Sequence, residues 1–218
     1  MTIAQRIEQI RASLPAGVRL IGVTKGVSPD AMREAYEAGV RDFGENRLQE
    51  ALVKQEQLKD LEGVQWHFIG HLQANKAKKT LLTFQWIHAV DNLELAQRID
   101  RLAGELNIHP RVLLQIKPLP DPQKYGWENE NILADLPALQ LCQHLKFQGL
   151  MTILPLGLSS AEKLSAFEKV RDLSIKMGKE LNYPLRELSM GMSGDYLPAV
   201  QADSTMVRLG TIIFGDRS

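Results

Sequence analysis

Short apolar segments alternate with helical patterns along almost the whole chain, and this alternation constrains the fold more than any other feature. It is typical of βαβ units, in which a helix carries the chain back to begin the next parallel strand. Eight such segments favour a closed (β/α)8 TIM-type barrel over an open doubly wound sheet. The segments cover residues 18–25, 40–46, 64–71, 85–91, 110–117, 146–153, 185–191 and 204–210.

Helix signals lie between these segments. An N-terminal helix is predicted before the first strand, because its isoleucines recur at helical spacing. Ser28 predicts the start of the next helix, and Ser159 with Glu162 has the spacing of a capping box. Asp91 is predicted to cap the helix after the fourth strand. A further helix is predicted near residues 128–144.

Length and composition indicate one domain. The chain has 218 residues, 44% of them hydrophobic, which is enough to bury a sizeable core. No linker or low-complexity tract divides it, so residues 1–218 are predicted to form a single barrel domain. Lys plus Arg and Asp plus Glu each number 26, and the resulting net charge of zero attracts neither nucleic acid nor an anionic membrane.

Cysteine content and hydropathy indicate a cytoplasmic protein. Cys142 is the only cysteine, so an internal disulfide framework is excluded and a reducing compartment is favoured. The charged N-terminal segment is unlike a signal peptide, and no apolar run approaches the roughly 20 residues of a membrane span. A monomer is expected, because no long apolar stripe marks a dimer interface.

Polar and small residues gather where the predicted strands end. In (β/α)8 barrels the functional residues lie at the carboxyl ends of the strands. The residues at these positions are Lys25, Asn46, His67, Gly70, Met151, Met190, Ser193, Gly194, Arg208, Gly210 and Thr211.

The loops after the last two strands are candidates for binding an anion. Ser193 and Gly194 follow the seventh strand, and Gly210 and Thr211 follow the eighth. Backbone N–H groups at a helix start favour an anion, and phosphate sites in these barrels commonly use these two loops. The alternative is that Ser193 only caps a helix and the glycines only form turns.

Lys25 and Arg208 suggest which phosphate ligand such a site would take. A desolvated lysine in the barrel mouth can attack an aldehyde, which suggests pyridoxal 5′-phosphate or a sugar-phosphate aldolase substrate. An arginine beside a pyridine nitrogen cannot give up its proton and would keep that nitrogen unprotonated. The alternative for Lys25 is an exposed lysine at a strand end. The alternative for Arg208 is an arginine that binds phosphate or a helix end. His67 and His71 lack a carboxylate or cysteine beside them, so no metal site is predicted.

Five longer motifs carry a family resemblance. The chain resembles the pyridoxal-phosphate homeostasis protein family (YggS/PROSC type), and the form of its first strand end is similar to that of cyanobacterial members. The resemblance covers almost the whole chain and implies a (β/α)8 barrel similar to that of alanine racemase. The motifs are "DFGENRLQE", "WHFIGHLQANK", "GLMTI", "LSMGMSGDY" and "STMVRLGTIIFG".

The resemblance also implies roles for individual residues. Lys25 would hold pyridoxal 5′-phosphate covalently as a Schiff base, Asn46 would lie near the ring hydroxyl, and Arg208 would face the ring nitrogen. The phosphate would be held by Ser193, Gly194, Gly210 and Thr211, and the pocket would be lined by Met151 and Met190 with His67 and Ile69 close by. Val27 departs from the many relatives that carry a second lysine there, which puts any transfer mechanism using that lysine in doubt.

The implied function is vitamin B6 and amino-acid homeostasis without catalysis. Cofactor transfer to apo-enzymes that require pyridoxal 5′-phosphate is one expected partnership. The alternative is an amino-acid racemase-like enzyme. It is less favoured because the sequence ends at Ser218, soon after the last phosphate segment, and the extra β domain of alanine racemase is not expected.

Overall fold

Eight parallel strands close into a barrel in the computed structural model, which describes residues 1–215. The barrel strands pair in the order β4-β3-β2-β1-β9-β8-β7-β5, and a further pairing of β4 with β5 closes the ring. The predicted (β/α)8 TIM-type barrel is therefore confirmed. In chain order the strands are β1 Arg19–Val23, β2 Asp42–Glu45, β3 Gln65–Phe68, β4 Trp86–Val90, β5 Arg111–Lys117, β6 Trp127–Glu128, β7 Lys146–Thr152, β8 Glu187–Ser189 and β9 Met206–Leu209.

Helices follow the strands around the barrel, and one helix precedes it as predicted. The helices are α1 Ile3–Ser13, α2 Pro29–Glu37, α3 Leu48–Gln57, α4 Ala77–Thr83, α5 Leu93–Leu106, α6 Asn129–Leu139, α7 Ser160–Leu181, α8 Tyr196–Gln201 and α9 Thr211–Phe214. A short 3-10 helix, Ala74–Lys76, leads into α4.

Local capping chemistry sets several helix starts. Ser28 accepts a hydrogen bond from the first turn of α2, and Ser159 forms the predicted capping box with Glu162 at the start of α7. The prediction for Asp91 is wrong by one residue. Asn92 directly precedes α5 and caps it through its side-chain oxygen, which leaves the Asp91 carboxylate for a contact on the cavity side.

The two-residue strand β6 was not predicted. It pairs in parallel with the end of β5, and it leads directly into α6. The indole N–H of Trp127 donates to Asp135 on α6 at 2.8 Å, which ties strand and helix together. Two residues show no period, so no sequence pattern marks such a strand.

The barrel interior holds an apolar layer and buried polar groups. The polar groups that lie there with almost no solvent exposure include His67, His88, Ser189 and Arg208. Since all eight barrel strands run parallel, their carboxyl ends meet at one rim, and the loops that follow them surround a single opening. The apolar layer consists of Ile21, Trp86, Ala89, Leu113, Met151 and Met206.

Candidate functional site

A cavity of about 500 Å³ opens at the carboxyl rim of the barrel. Lys25 enters it from the end of β1, and Ser193 and Thr211 enter it from the loops after β8 and β9. The predicted amine and the predicted anion-binding loops therefore line the same cavity. Nine of the residues named from the sequence line it: Lys25, Asn46, Ile69, Gly70, Ser193, Gly194, Arg208, Gly210 and Thr211.

A buried charged cluster fixes the backbone on both sides of Lys25. Thr24 is fully buried and donates its hydroxyl to Glu45 Oε1 at 2.6 Å. The N–H of Gly26 donates to Glu50 Oε1 at 2.6 Å. The two neighbours of Lys25 in the chain are thus each tied to a carboxylate, so the lysine leaves the end of β1 from a fixed backbone position.

Lys54 on α3 joins these two carboxylates. Its Nζ donates to Glu45 Oε1 at 2.7 Å, to Glu50 Oε1 at 2.6 Å and to the carbonyl oxygen of Thr24 at 2.5 Å. Burial raises the pKa of Glu45 despite the hydrogen bonds from Lys54 and Thr24. At Glu50 burial acts in the same direction, but the hydrogen bonds from Lys54 and Gly26 outweigh it and lower the pKa.

The loops after β8 and β9 have the backbone character of an anion cradle. Gly191 takes a positive φ of 97° where β8 turns outward, a conformation that favours glycine. A Cβ at Gly194 would meet no atom within 4 Å, so the backbone there faces open space. Thr211 begins α9, where the first amides have no intrahelical acceptors. Ser193 does not cap α8, because Asp195 occupies the cap position.

Arg208 forms part of the cavity floor. It lies on β9 and is 3% exposed. Its Nη1 donates to the carbonyl oxygen of Ser189 at 2.6 Å and to its Oγ at 2.7 Å, and Nη2 donates to the carbonyl oxygen of Thr152 at 2.8 Å. Burial lowers the pKa of Arg208 to about 10, which still leaves the guanidinium protonated at neutral pH.

Asn46 places a buried acceptor at the cavity wall. Its Oδ1 is shielded from solvent and has no hydrogen-bond partner among residues 1–215. A Cβ at Gly70 would lie 2.4 Å from the Asn46 carbonyl oxygen, so only glycine allows the loop after β3 to pass this close. A buried acceptor without a partner is costly, and a ligand hydroxyl would satisfy it.

The far wall of the cavity was not predicted as part of the site. His71 stacks on Tyr125 with ring centroids 3.8 Å apart, and its Nδ1 lies 2.7 Å from Asp91 Oδ2. Lys124 lines the same wall. The available signal was the proline-rich loop after β5, since loops at the carboxyl rim of such barrels form the site.

Three predicted pocket residues lie elsewhere in the barrel. The described residues that line the cavity do not include His67, Met151 or Met190. These side chains are fully buried in the interior. His67 and Met151 lie on β3 and β7, and Met190 directly follows β8. Ile69, which was also named from the sequence, and Met192 line the cavity.

Residues 1–215 contain no group of three or more His, Cys, Asp or Glu side chains suited to hold a metal ion. None of the helices in that range combines the length and apolar character needed to cross a bilayer.

Comparison with known proteins gives long and specific matches. Residues 1–218 match the family described as alanine racemase, N-terminal domain. A pyridoxal phosphate homeostasis protein of Synechocystis sp. is 52% identical over 209 residues, which is 96% of both chains.

Solved structures show the same architecture. The structure of PipY from Synechococcus elongatus PCC7942 with PLP bound is 46% identical, has a TM-score of 0.93, and covers 98% of this chain and all of that one. An alanine racemase of Clostridium difficile 630 has a TM-score of 0.82 at 15% identity, covering 99% of this chain and 59% of the racemase. At that identity the likeness establishes the fold alone.

Proposed function

This chain belongs to the family of pyridoxal phosphate homeostasis proteins, and we propose that it binds pyridoxal 5′-phosphate reversibly in the cavity at the carboxyl rim. The observation that carries the proposal is the convergence of Lys25 with Ser193, Gly194, Gly210 and Thr211 on one cavity of about 500 Å³. A small phosphorylated aldehyde is the ligand class that needs an amine and an anion cradle facing each other.

The residues of the cavity fit this cofactor at each of its polar groups. The amine of Lys25 would attach to the aldehyde as a Schiff base. The backbone N–H groups around Gly194 and Thr211 would donate hydrogen bonds to the phosphate. The partnerless Oδ1 of Asn46 would accept a hydrogen bond from the ring hydroxyl. When bound, the cofactor supplies an electrophilic carbon and an electron-withdrawing ring, and the protein determines how far that ring is activated.

Arg208 limits the activation of the ring in this proposal. The guanidinium stays protonated at neutral pH even with its pKa lowered to about 10, so it can only donate to the ring nitrogen. A nitrogen that accepts from arginine does not take up a full proton, and the ring is then a weak electron sink. We infer a role in holding and releasing cofactor, for vitamin B6 and amino-acid homeostasis, rather than in turnover.

Borohydride reduction tests the attachment point. The protein is loaded with pyridoxal 5′-phosphate, reduced with sodium borohydride, digested and mapped by mass spectrometry. The expected adduct lies on the peptide that contains Lys25, and Lys25→Ala should lose both this adduct and the visible absorption band. Lys124→Ala is the matched control, because Lys124 lines the same cavity and its removal should leave the adduct in place. An adduct on Lys124 in the unmodified protein would overturn the assignment.

Transfer and racemisation assays test the role. Loaded protein is mixed with an apo-enzyme that requires pyridoxal 5′-phosphate, and recovery of its activity is followed with and without a dialysis membrane between the two proteins. We expect recovery in both arrangements, at the rate set by release from Lys25. Racemisation of an amino acid at ordinary enzyme rates by the purified protein would instead establish the racemase-like alternative.

A further inference from the structure

A continuous chain of hydrogen bonds crosses the barrel interior below the cavity. It begins at Asp42, the first residue of β2, whose Oδ1 lies 2.8 Å from His67 Nε2. His67 Nδ1 lies 2.9 Å from His88 Nε2, and His88 Nδ1 lies 2.9 Å from Ser189 Oγ. Ser189 Oγ in turn accepts from Arg208 Nη1 at 2.7 Å. These hydrogen bonds thus join residues of five strands, β2, β3, β4, β8 and β9, and end at the cavity floor.

The Asp42 end fixes the direction of the first bonds. A carboxylate can only accept, so His67 Nε2 must carry the hydrogen. Burial lowers the pKa of His67, which keeps the ring neutral at pH 7 and makes its Nδ1 an acceptor. His88 Nε2 must then donate to it. Burial places the pKa of His88 well below its usual value, so its Nδ1 also accepts, and the Ser189 hydroxyl is its donor.

The Arg208 end fixes the same direction independently. A guanidinium can only donate, so Ser189 Oγ accepts from Arg208 and has its own hydrogen to give to His88. Starting from either end, every hydrogen points from Arg208 toward Asp42. A second proton on His88 would put two donors on that ring and leave the Ser189 hydroxyl hydrogen without its acceptor.

The charges around the two imidazoles agree with neutral rings. Arg208 approaches from β9, while Arg19 of β1 and Arg111 of β5 lie over the Trp86 ring, 5.0 and 4.8 Å from its centroid. Trp86 stacks on His67 with centroids 5.7 Å apart. Asp42, itself 3.9 Å from Arg19, is the one carboxylate bonded to the chain among the described residues.

We propose that His88 and Ser189 are positioning residues that hold the Arg208 guanidinium in one orientation, with the N–H groups not used on Ser189 and Thr152 left for the cavity. The proposal rests on the proposed function for its consequence, since these remaining donors would face the ring nitrogen of the cofactor. The guanidinium donates one buried hydrogen bond to the Ser189 hydroxyl and two to the carbonyl oxygens of Ser189 and Thr152, so rotation of Arg208 away from the cavity would break all three.

The first test needs no cofactor. Long-range ¹H–¹⁵N NMR of the protein without pyridoxal 5′-phosphate, labelled at histidine, reports the tautomer of each ring. We expect His67 and His88 both to be neutral with the hydrogen on Nε2 at pH 7. A hydrogen on Nδ1 of either ring, or a charged ring, would overturn the chain whatever the protein binds.

The second test removes one hydrogen-bonding side chain at a time and measures hydrogen exchange of the Arg208 guanidinium. In Ser189→Ala, exchange of the Arg208 guanidinium hydrogens should become about tenfold faster or more, because a hydrogen bond from a charged donor is lost. His88→Leu should have a similar effect. His88→Gln should largely restore slow exchange, since an amide offers one acceptor and one donor as the neutral imidazole does. Unchanged exchange in both Ser189→Ala and His88→Leu would refute the positioning role.

The loaded protein supplies the last readout. With pyridoxal 5′-phosphate bound, Ser189→Ala should shift the visible absorption maximum while binding of inorganic phosphate, measured separately, stays within twofold of wild type. An unchanged maximum together with faster Arg208 exchange would show that Arg208 does not face the ring, which contradicts the consequence drawn here. Failure of the wild-type protein to bind pyridoxal 5′-phosphate would refute the proposed function. The histidine tautomers measured by NMR would be unaffected by that outcome.

Discussion

The lysine side and the arginine side of the cavity are supported in opposite ways. Beside Lys25, the support consists of formal charges: Glu45, Glu50 and the buried ammonium of Lys54. Beside Arg208, it consists of neutral groups, and the nearest charge along the hydrogen-bond chain lies at its far end. The cluster of Glu45, Glu50 and Lys54 is called the ion cluster below. The chain of hydrogen bonds from Arg208 to Asp42 is called the relay.

The difference follows from what each side must hold. The ion cluster fixes the backbone around Lys25, because its bonds reach the residues directly before and after that lysine. The relay fixes a side chain that already carries a charge. A second cation near the buried Arg208 guanidinium would raise the energy of that charge, and neutral imidazoles avoid this. Beside Lys25 the buried charges of Glu45 and Lys54 pair with each other, whereas the hydrogen-bond partners of Arg208 are neutral groups.

Breaking the ion cluster should give the largest effect. Lys54→Met removes the cation that pairs with Glu45 at 2.7 Å, and Glu45 itself is fully buried. We expect the free energy of unfolding to fall by about 3–5 kcal/mol, the usual loss when one partner of a buried pair is removed. Urea denaturation measures it. Lys59→Met, in the exposed pair with Glu56, is the control and should leave the urea midpoint unchanged; equal losses would mean that burial of Lys54 does not matter.

Removing the end of the relay should cost less. Arg208→Met leaves the carbonyl oxygens of Ser189 and Thr152 without this donor, while the Ser189 hydroxyl keeps its bond to His88. The expected loss in the free energy of unfolding is about 1–3 kcal/mol. The same urea measurement applies, and a loss larger than that of Lys54→Met would reverse the comparison.

Lowering the pH below 6.5 should reduce the free energy of unfolding through the two histidines of the relay. His67 and His88 have folded-state pKa values below the ordinary 6.5, so the unfolded chain binds protons first as the pH falls. Their stabilising effect is complete above pH 6.5 and is lost progressively below it, with a slope of at most about 1.4 kcal/mol per pH unit for each ring. Urea midpoints between pH 7.5 and 5 measure this slope. His88→Gln should reduce it, and an unaltered slope in that variant would exclude His88 as a contributor.

The smallest effect is expected at the edge of the ion cluster. Glu50 is 29% exposed at its side chain, so water partly replaces its bond to Lys54. Glu50→Gln should lower the free energy of unfolding by about 1 kcal/mol or less. Urea denaturation again measures the change. A loss as large as that of Lys54→Met would show that the cluster depends on both carboxylates equally.

The sequence by itself determined the barrel and the positions of its main polar residues. Strand and helix periods are local, and so are caps such as Ser28 and the Ser159–Glu162 box, which involve residues only three apart. Once the strands are placed, their carboxyl ends bring Lys25, Asn46 and Thr211 to one rim, because parallel strands of a barrel all point the same way.

Only the tertiary structure decided what the buried polar residues contact. His67 meets Asp42, 25 residues away, through the register of the neighbouring strands β2 and β3. His88 on β4 meets Ser189 on β8, 101 residues away, although these two strands do not pair with each other. Asp91 looked like a helix cap and instead binds His71 at the cavity. Periodicity carries information over a few residues, whereas a hydrogen bond inside a barrel depends on how strands far apart in the chain are aligned, and no local pattern records that alignment.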